Sequence, residues 1–103
     1  MSRDEIPLQM LIYELINMFQ LHAKDKGIVF EYKARSPLPE IVIADEKHLR
    51  QVLINLLSNA VKYTTQGSVS LSVRYRNQVA EFTIEDTGVG IDADQYERIF
   101  LPF

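Results

Sequence analysis

Between Pro7 and Lys26 the apolar residues Leu8, Leu11, Ile12, Leu15, Phe19 and Ala23 recur at steps of three and four, which predicts a helix with one apolar stripe. Pro7 suits its first turn and Gly27 its C-terminal stop. The period then changes to two: Ile28, Phe30, Tyr32 and Ala34 share one face of an extended segment, with Glu31, Lys33 and Arg35 on the other. Ser36-Pro37-Leu38-Pro39 breaks regular structure, and Ile41-Val42-Ile43 predicts a short apolar strand. Asp45 is placed to cap a second helix that runs to about Tyr63, and Thr64-Thr65-Gln66-Gly67 ends it. Two alternating runs, Val69 to Tyr75 and Val79 to Asp86, follow as a tight hairpin through Arg76-Asn77-Gln78. After Gly90 a short helical stretch, Asp92 to Ile99, is expected before Phe100-Leu101-Pro102-Phe103.

Such segregated elements favour helices layered on one face of a mixed or antiparallel sheet, an α+β two-layer sandwich, over a doubly wound parallel sheet. The 103 residues suffice for one hydrophobic core and no more. Eleven Lys and Arg stand against 14 Asp and Glu with no basic run, so nucleic acid is not an expected partner. The absence of cysteine excludes thiolate nucleophiles, disulfides and zinc-thiolate sites. Met10 to Phe19 and Val52 to Val61 are each interrupted by polar residues, so neither is expected to span a bilayer. The opening Met1-Ser2-Arg3-Asp4-Glu5 lacks the pattern of a signal peptide, and a soluble chain without direct membrane contact is expected.

Candidate chemistry sits at two places. At about 100° per residue, Leu49, Val52, Leu53, Leu56, Leu57 and Ala60 form one arc of the second helix, and His48, Asn55, Asn59 and Lys62 cluster beside it. Asparagine competes for backbone hydrogen bonds, so two of them at mid-helix ask for a use. A solvated polar face is one account; the other is a site where an amide oxygen ligates a hard cation such as Mg²⁺ while Lys62 meets phosphate. In the second hairpin strand Ala80, Phe82 and Ile84 alternate inward, Glu81, Thr83 and Glu85 outward, and Asp86 falls on the inward parity. A carboxylate aimed at an apolar layer needs a partner in a pocket or a place just beyond the strand end. Asp-Thr-Gly is also ordinary turn chemistry. Gly88-Val89-Gly90 then lets backbone approach a flat ligand closely, although the dinucleotide fingerprint and the Walker A loop are both absent.

Taken together, these residues resemble a known family. His48 to Thr64, with Asn55, Asn59, Ala60, Lys62 and Tyr63, resembles the N box (48–64) of sensor histidine kinases. Asp86-Thr87-Gly88-Val89-Gly90-Ile91 resembles their first glycine box (86–91), and Tyr96 to Phe103 their F box (96–103). Ala23-Lys24-Asp25-Lys26-Gly27-Ile28 and Leu38-Pro39 look like the usual entry to that catalytic domain. The resemblance implies the Bergerat ATP-binding fold of gyrase, Hsp90-type chaperones, histidine kinases and MutL-like proteins, with ATP and Mg²⁺ as cofactors. Carried over residue by residue, Asp86 would accept a hydrogen bond from the adenine amine, and Gly88, Gly90 and Ile91 would belong to the base pocket. Asn59 would ligate Mg²⁺, Asn55 would support the metal and phosphate site, Lys62 would contact phosphate, and Tyr63 would pack along the adenine.

ATP-hydrolysing relatives carry a Glu where this chain has Asn55, and an amide cannot serve as a general base. The resemblance therefore implies phosphoryl transfer, with Asn55 and Lys62 in the catalytic roles. The acceptor would be a histidine on a separate dimerisation domain, with a response regulator as the further partner and a cytoplasmic location, the parent being free or anchored in the inner membrane. His22, on the apolar stripe, and His48, inside the N box, lack the acceptor motif and are not expected to be phosphorylated. The family's ATP lid and second glycine box have no counterpart here. The expectation is the N-terminal part of such a domain over 1–103, inactive alone, with Phe100, Leu101 and Phe103 short of packing partners and the fragment prone to self-association. A degenerate partner-binding module and an ATPase of another branch of the superfamily are the alternatives.

Overall fold

The structure is a computed structural model, and it describes residues 3–87 and 94–103. The elements run β1 (Asp4–Pro7), α1 (Leu8–Lys26), β2 (Val29–Ala34), β3 (Ile41–Ala44), α2 (Glu46–Tyr63), β4 (Ser68–Arg76), β5 (Val79–Thr87) and β6 (Asp94–Pro102). Four strands form one mixed sheet in the order β2-β4-β5-β6, with β2 and β4 parallel and the other pairs antiparallel. The two helices pack on one face of it, α1 over β2 and α2 over β5, which is an α+β sandwich. None of the helices is long and apolar enough to cross a membrane, among the described residues.

The stripe predicted for α1 is its buried face: Leu8, Leu11, Ile12, Leu15, Phe19 and Ala23 are all buried, joined by Ile16. Gly27 ends the helix in the left-handed region at φ 79°, and its N–H reaches back to Ala23 O and Lys24 O. A side chain at that φ would be strained, so glycine is the residue this stop asks for. On α2, Leu49, Leu53, Leu57, Ala60 and Val61 are buried. Opposite them the inward residues of the sheet, Val69, Leu71, Val73, Ala80 and Phe82, are closed off completely. Burying each of the larger of these side chains contributes about 1.5–3 kcal/mol, which is why period-two and period-3.6 patterns decide the fold together. Asn77 and Gln78 both adopt positive φ, and a two-residue turn of that form matches the twist of the β4–β5 hairpin.

One strand goes beyond the sequence reading, and four expectations are corrected. The opening residues form β1, antiparallel to β3 with Ile6 opposite Val42, and one buried side chain in four residues left no periodic signal there. The helical stretch expected from Asp92 to Ile99 is replaced from Asp94 onward by β6, which pairs along β5 from Thr87↔Asp94 to Val79↔Pro102. The edge of β5 offers unpaired backbone groups, and Ile99, Leu101 and Phe103 alternate toward the core. Leu101 and Phe103 therefore do find packing partners, while Phe100, on the opposite parity, is exposed. His22 keeps the azimuth of the α1 stripe, yet it is exposed near the helix end with its ring edge-on to Phe19 at 5.4 Å. Thr83, read as outward, is buried on the outer face, where it stands between Ser72 of β4 and Arg98 of β6. A central strand shades small residues on both faces.

Tyr32 and Tyr13 meet edge to face at 6.1 Å where β2 runs under α1. Burial, and secondarily the nearby Tyr13, pushes the Tyr32 hydroxyl above its ordinary value.

Candidate functional site

A short connection and two strand registers decide where the polar residues meet. Residues 64–67 join the end of α2 to β4, and four residues cannot carry the chain far. Ser68 then pairs with Thr87 and Val69 with Asp86, while Val29 at the start of β2 pairs with Ser68. The C-terminal ends of α1 and α2 and the Asp86 end of β5 thus lie at the same end of the sandwich. Lys62, Tyr63 and Asp86 are brought to that end together, although 23 residues separate Tyr63 from Asp86 in sequence.

Asp86 keeps the parity read from the sequence. It follows Ala80, Phe82 and Ile84 along the inward face of β5, lies opposite the fully buried Val69, and is itself half-buried. Among the described residues no hydrogen bond or ion pair engages its carboxylate. On α2 the polar face is open: His48, Asn55, Asn59 and Lys62 are exposed beside the buried arc. Neither asparagine amide is taken up by a partner among the described residues. Asn55 and Asn59 are four apart, so both project from one side of the helix. Gly88, Gly90 and Ile91 lie outside the described residues.

Tyr63 is 70% exposed, a large aromatic with most of its ring uncovered at the helix end. The Lys62 ammonium stands 5.4 Å from that ring's centroid, within cation–π range. An aromatic face and an ammonium side by side suit a ligand with a flat base and an anionic tail.

The ends of α2 are held by charged side chains. At its N-terminus the Asp45 carboxylate accepts the His48 N–H at 3.1 Å, and Asp4 of β1 accepts the Glu46 N–H at 3.1 Å. Two acids at the positive end of the helix dipole satisfy two of its four orphan donors. In the second turn, Arg50 bonds Glu14 of α1 at 2.9 Å. At the C-terminus the Lys26 ammonium donates to the carbonyls of Val61 and Lys62. Thr64, which caps the helix, is buried with its hydroxyl unpartnered among the described residues. Sequence reasoning missed the contacts of Asp4 and Lys26 with α2, since partners more than thirty residues apart leave no local pattern.

The donor set is compatible with a hard divalent cation. Carboxamide oxygens are hard ligands, and Mg²⁺ usually takes few protein ligands, completing its shell with water and phosphate oxygens. Among the described residues there is no cluster of three His, Cys, Asp or Glu.

Comparison with known proteins agrees with this geometry. The aerobic respiration control sensor protein ArcB of Escherichia coli (strain K12) is 40% identical over 104 residues, covering 100% of this chain and 13% of ArcB. The chain thus spans about an eighth of that relative's length. A crystal structure of full-length ShkA in complex with AMPPNP superposes with a TM-score of 0.76 at 34% identity, covering 89% of this chain and 20% of that one. Histidine kinase ThkA, solved in complex with the response regulator protein TrrA, matches with a TM-score of 0.72 at 25% identity, over 84% of this chain and 26% of that one. Residues 44–103, which hold α2, the hairpin and β6, match the family model of histidine kinase-, DNA gyrase B- and HSP90-like ATPases. With its polar helix face and its inward Asp86 both inside that match, the chain belongs to the family of histidine kinase-, DNA gyrase B- and HSP90-like ATPases.

Proposed function

We propose that the chain is the ATP-binding part of a protein-histidine kinase, with its N box over 48–64, its first glycine box over 86–91 and its F box over 96–103. The observation that carries this reading is the half-buried carboxylate of Asp86 at the strand end, on the same end of the sandwich as the exposed Lys62 and Tyr63 of α2. In this reading Asp86 accepts from the exocyclic amine of adenine, a donor that guanine lacks at that position, and so selects the base. Tyr63 offers its ring to the base, with Gly88, Gly90 and Ile91 completing the pocket. Lys62 neutralises phosphate charge, Asn59 holds Mg²⁺ through its amide oxygen, and Asn55 supports both. Bound Mg·ATP supplies the transferable phosphoryl group and the neutralising metal charge.

Asn55 supports transfer over hydrolysis, because an amide orients a reactant but does not take a proton from water. Positioning and charge neutralisation are what phosphoryl transfer asks of a protein. The acceptor is then a histidine on a separate dimerisation domain, and the next partner a response regulator. The kinship with ArcB and the ThkA–TrrA complex support that assignment. An ATP-consuming kinase works where ATP is held, on the cytoplasmic side.

Calorimetric titration of Mg·ATP into the full-length protein tests the reading. Wild type is expected to bind, and Asp86→Ala to weaken binding roughly 10- to 150-fold, the range of a hydrogen bond to a charged group. Asn59→Ala should weaken binding in Mg²⁺ and matter far less in EDTA. A wild-type protein that binds no nucleotide, or an Asp86→Ala variant that binds as well, would remove the assignment.

A further inference from the structure

The last four carbonyls of an α-helix have no donor within the helix, and its final turn frays unless something takes them. On α2 the Thr64 N–H takes that of Ala60, and the ammonium of Lys26 takes those of Val61 and Lys62. Lys26 comes from the last turn of α1, 35 residues from Val61, and lies outside the matched 44–103 segment. Its positive charge meets the negative end of the helix dipole, so the contact is favourable by charge as well as by geometry. The carbonyls it holds sit between the buried Val61 and the exposed pair Lys62 and Tyr63. Both exposed side chains are long or broad, and small changes in φ and ψ at this turn swing their tips by ångströms.

We propose that Lys26 is a positioning residue for the nucleotide: by fixing the Val61 and Lys62 carbonyls it sets the direction in which Lys62 and Tyr63 leave the end of α2. The proposal rests on the reading of those two residues as nucleotide contacts. It makes α1 more than a cover for the sheet, because the end of one helix then orders the ligand-facing end of the other. Methionine at position 26 keeps the stem and removes the donor. Arginine restores a donor whose fork reaches two carbonyls.

The test is ATP affinity by calorimetry in the full-length protein for wild type, Lys26→Met, Lys26→Arg, Lys62→Ala and the Lys26→Met/Lys62→Ala pair. Lys26→Met is expected to weaken ATP roughly fivefold, the scale of one net hydrogen bond. Lys26→Arg should recover most of that loss, and on the Lys62→Ala background the Met substitution should cost markedly less, since coupled residues are not additive. A general loss of stability would not be rescued by arginine or absorbed by Lys62→Ala. Wild type that binds ATP while Lys26→Met binds equally well, or whose two substitutions add in full, overturns the proposal and leaves the nucleotide reading standing. Wild type that does not bind ATP overturns that reading instead. In that case the backbone carbonyl ¹³C shifts of Val61 and Lys62 still report the contact: no change in Lys26→Met removes the Lys26 contact itself.

Discussion

The two helices have nearly the same length, 19 and 18 residues, and bury similar stripes against one core, yet they are finished in different ways. The end of α1 is local: Gly27 turns left-handed and returns its N–H to the helix's own carbonyls. α2 has a local cap in Asp45 and is also held from elsewhere, by Asp4 at its start, Glu14 at its second turn and Lys26 at its end. The helix with the local stop carries no candidate ligand contact, whereas the one that is clamped presents Asn55, Asn59, Lys62 and Tyr63. A side chain that must meet a ligand at a fixed distance needs its backbone fixed first, and an exposed helix end cannot supply that alone.

Five substitutions in the full-length protein break or sharpen this contrast. The largest effect belongs to the shared core: Leu15→Ala on α1 and Leu53→Ala on α2, at positions 1% and 0% exposed, should each cost about 2–5 kcal/mol in urea unfolding. Costs of similar size would show that the helices differ in their ends and not in their packing; a cheap Leu15→Ala would mean that α1 is only loosely part of the core. Next come the ends. Gly27→Ala forces an L side chain into φ 79° with no atom within 4 Å to clash, so its cost of about 1–2 kcal/mol is backbone strain alone. Asp45→Ala should cost about 1 kcal/mol through the lost cap, and amide exchange should quicken at the start of α2 in that variant but not in Gly27→Ala.

The smallest effect is a pH dependence confined to the α1 side. The folded state holds the Tyr32 proton more tightly than the unfolded chain does, because burial and then Tyr13 oppose its ionisation. Its contribution is therefore complete below the unfolded value near 10 and is lost as pH rises through the higher folded value. Stability should fall above about pH 10, and Tyr32→Phe should flatten that slope in alkaline urea titrations. An identical slope in the variant would mean that Tyr32 does not set it.

Much of this fold was legible because its elements are long and strongly patterned. The α1 stripe and the inward triplet Ala80, Phe82 and Ile84 each repeat one period several times, and the caps at Asp45 and Gly27 use chemistry that works within a few residues. The failures have the opposite character. β1 buries one side chain in four, and β6 reads locally as a polar segment followed by aromatics. Both owe their form to a partner strand, and no local window contains that partner. At the site, spacing singled out Asn55, Asn59, Lys62 and Asp86 and the family resemblance added Tyr63, while the common end of Lys62, Tyr63 and Asp86 follows only from the Val69↔Asp86 register and the short connection after α2.

What the amino-acid order alone determined is therefore which residues are apolar at which period, where the helices stop, and which polar groups are left over on the faces. Tertiary structure decided which leftovers meet: the edge of β5 that turned 94–102 into a strand, and Lys26 against the carbonyls of α2. The reason is physical. Periodicity and capping are energies of neighbours along the chain, whereas strand pairing and a lysine across two helices gain their energy only after the chain has closed on itself.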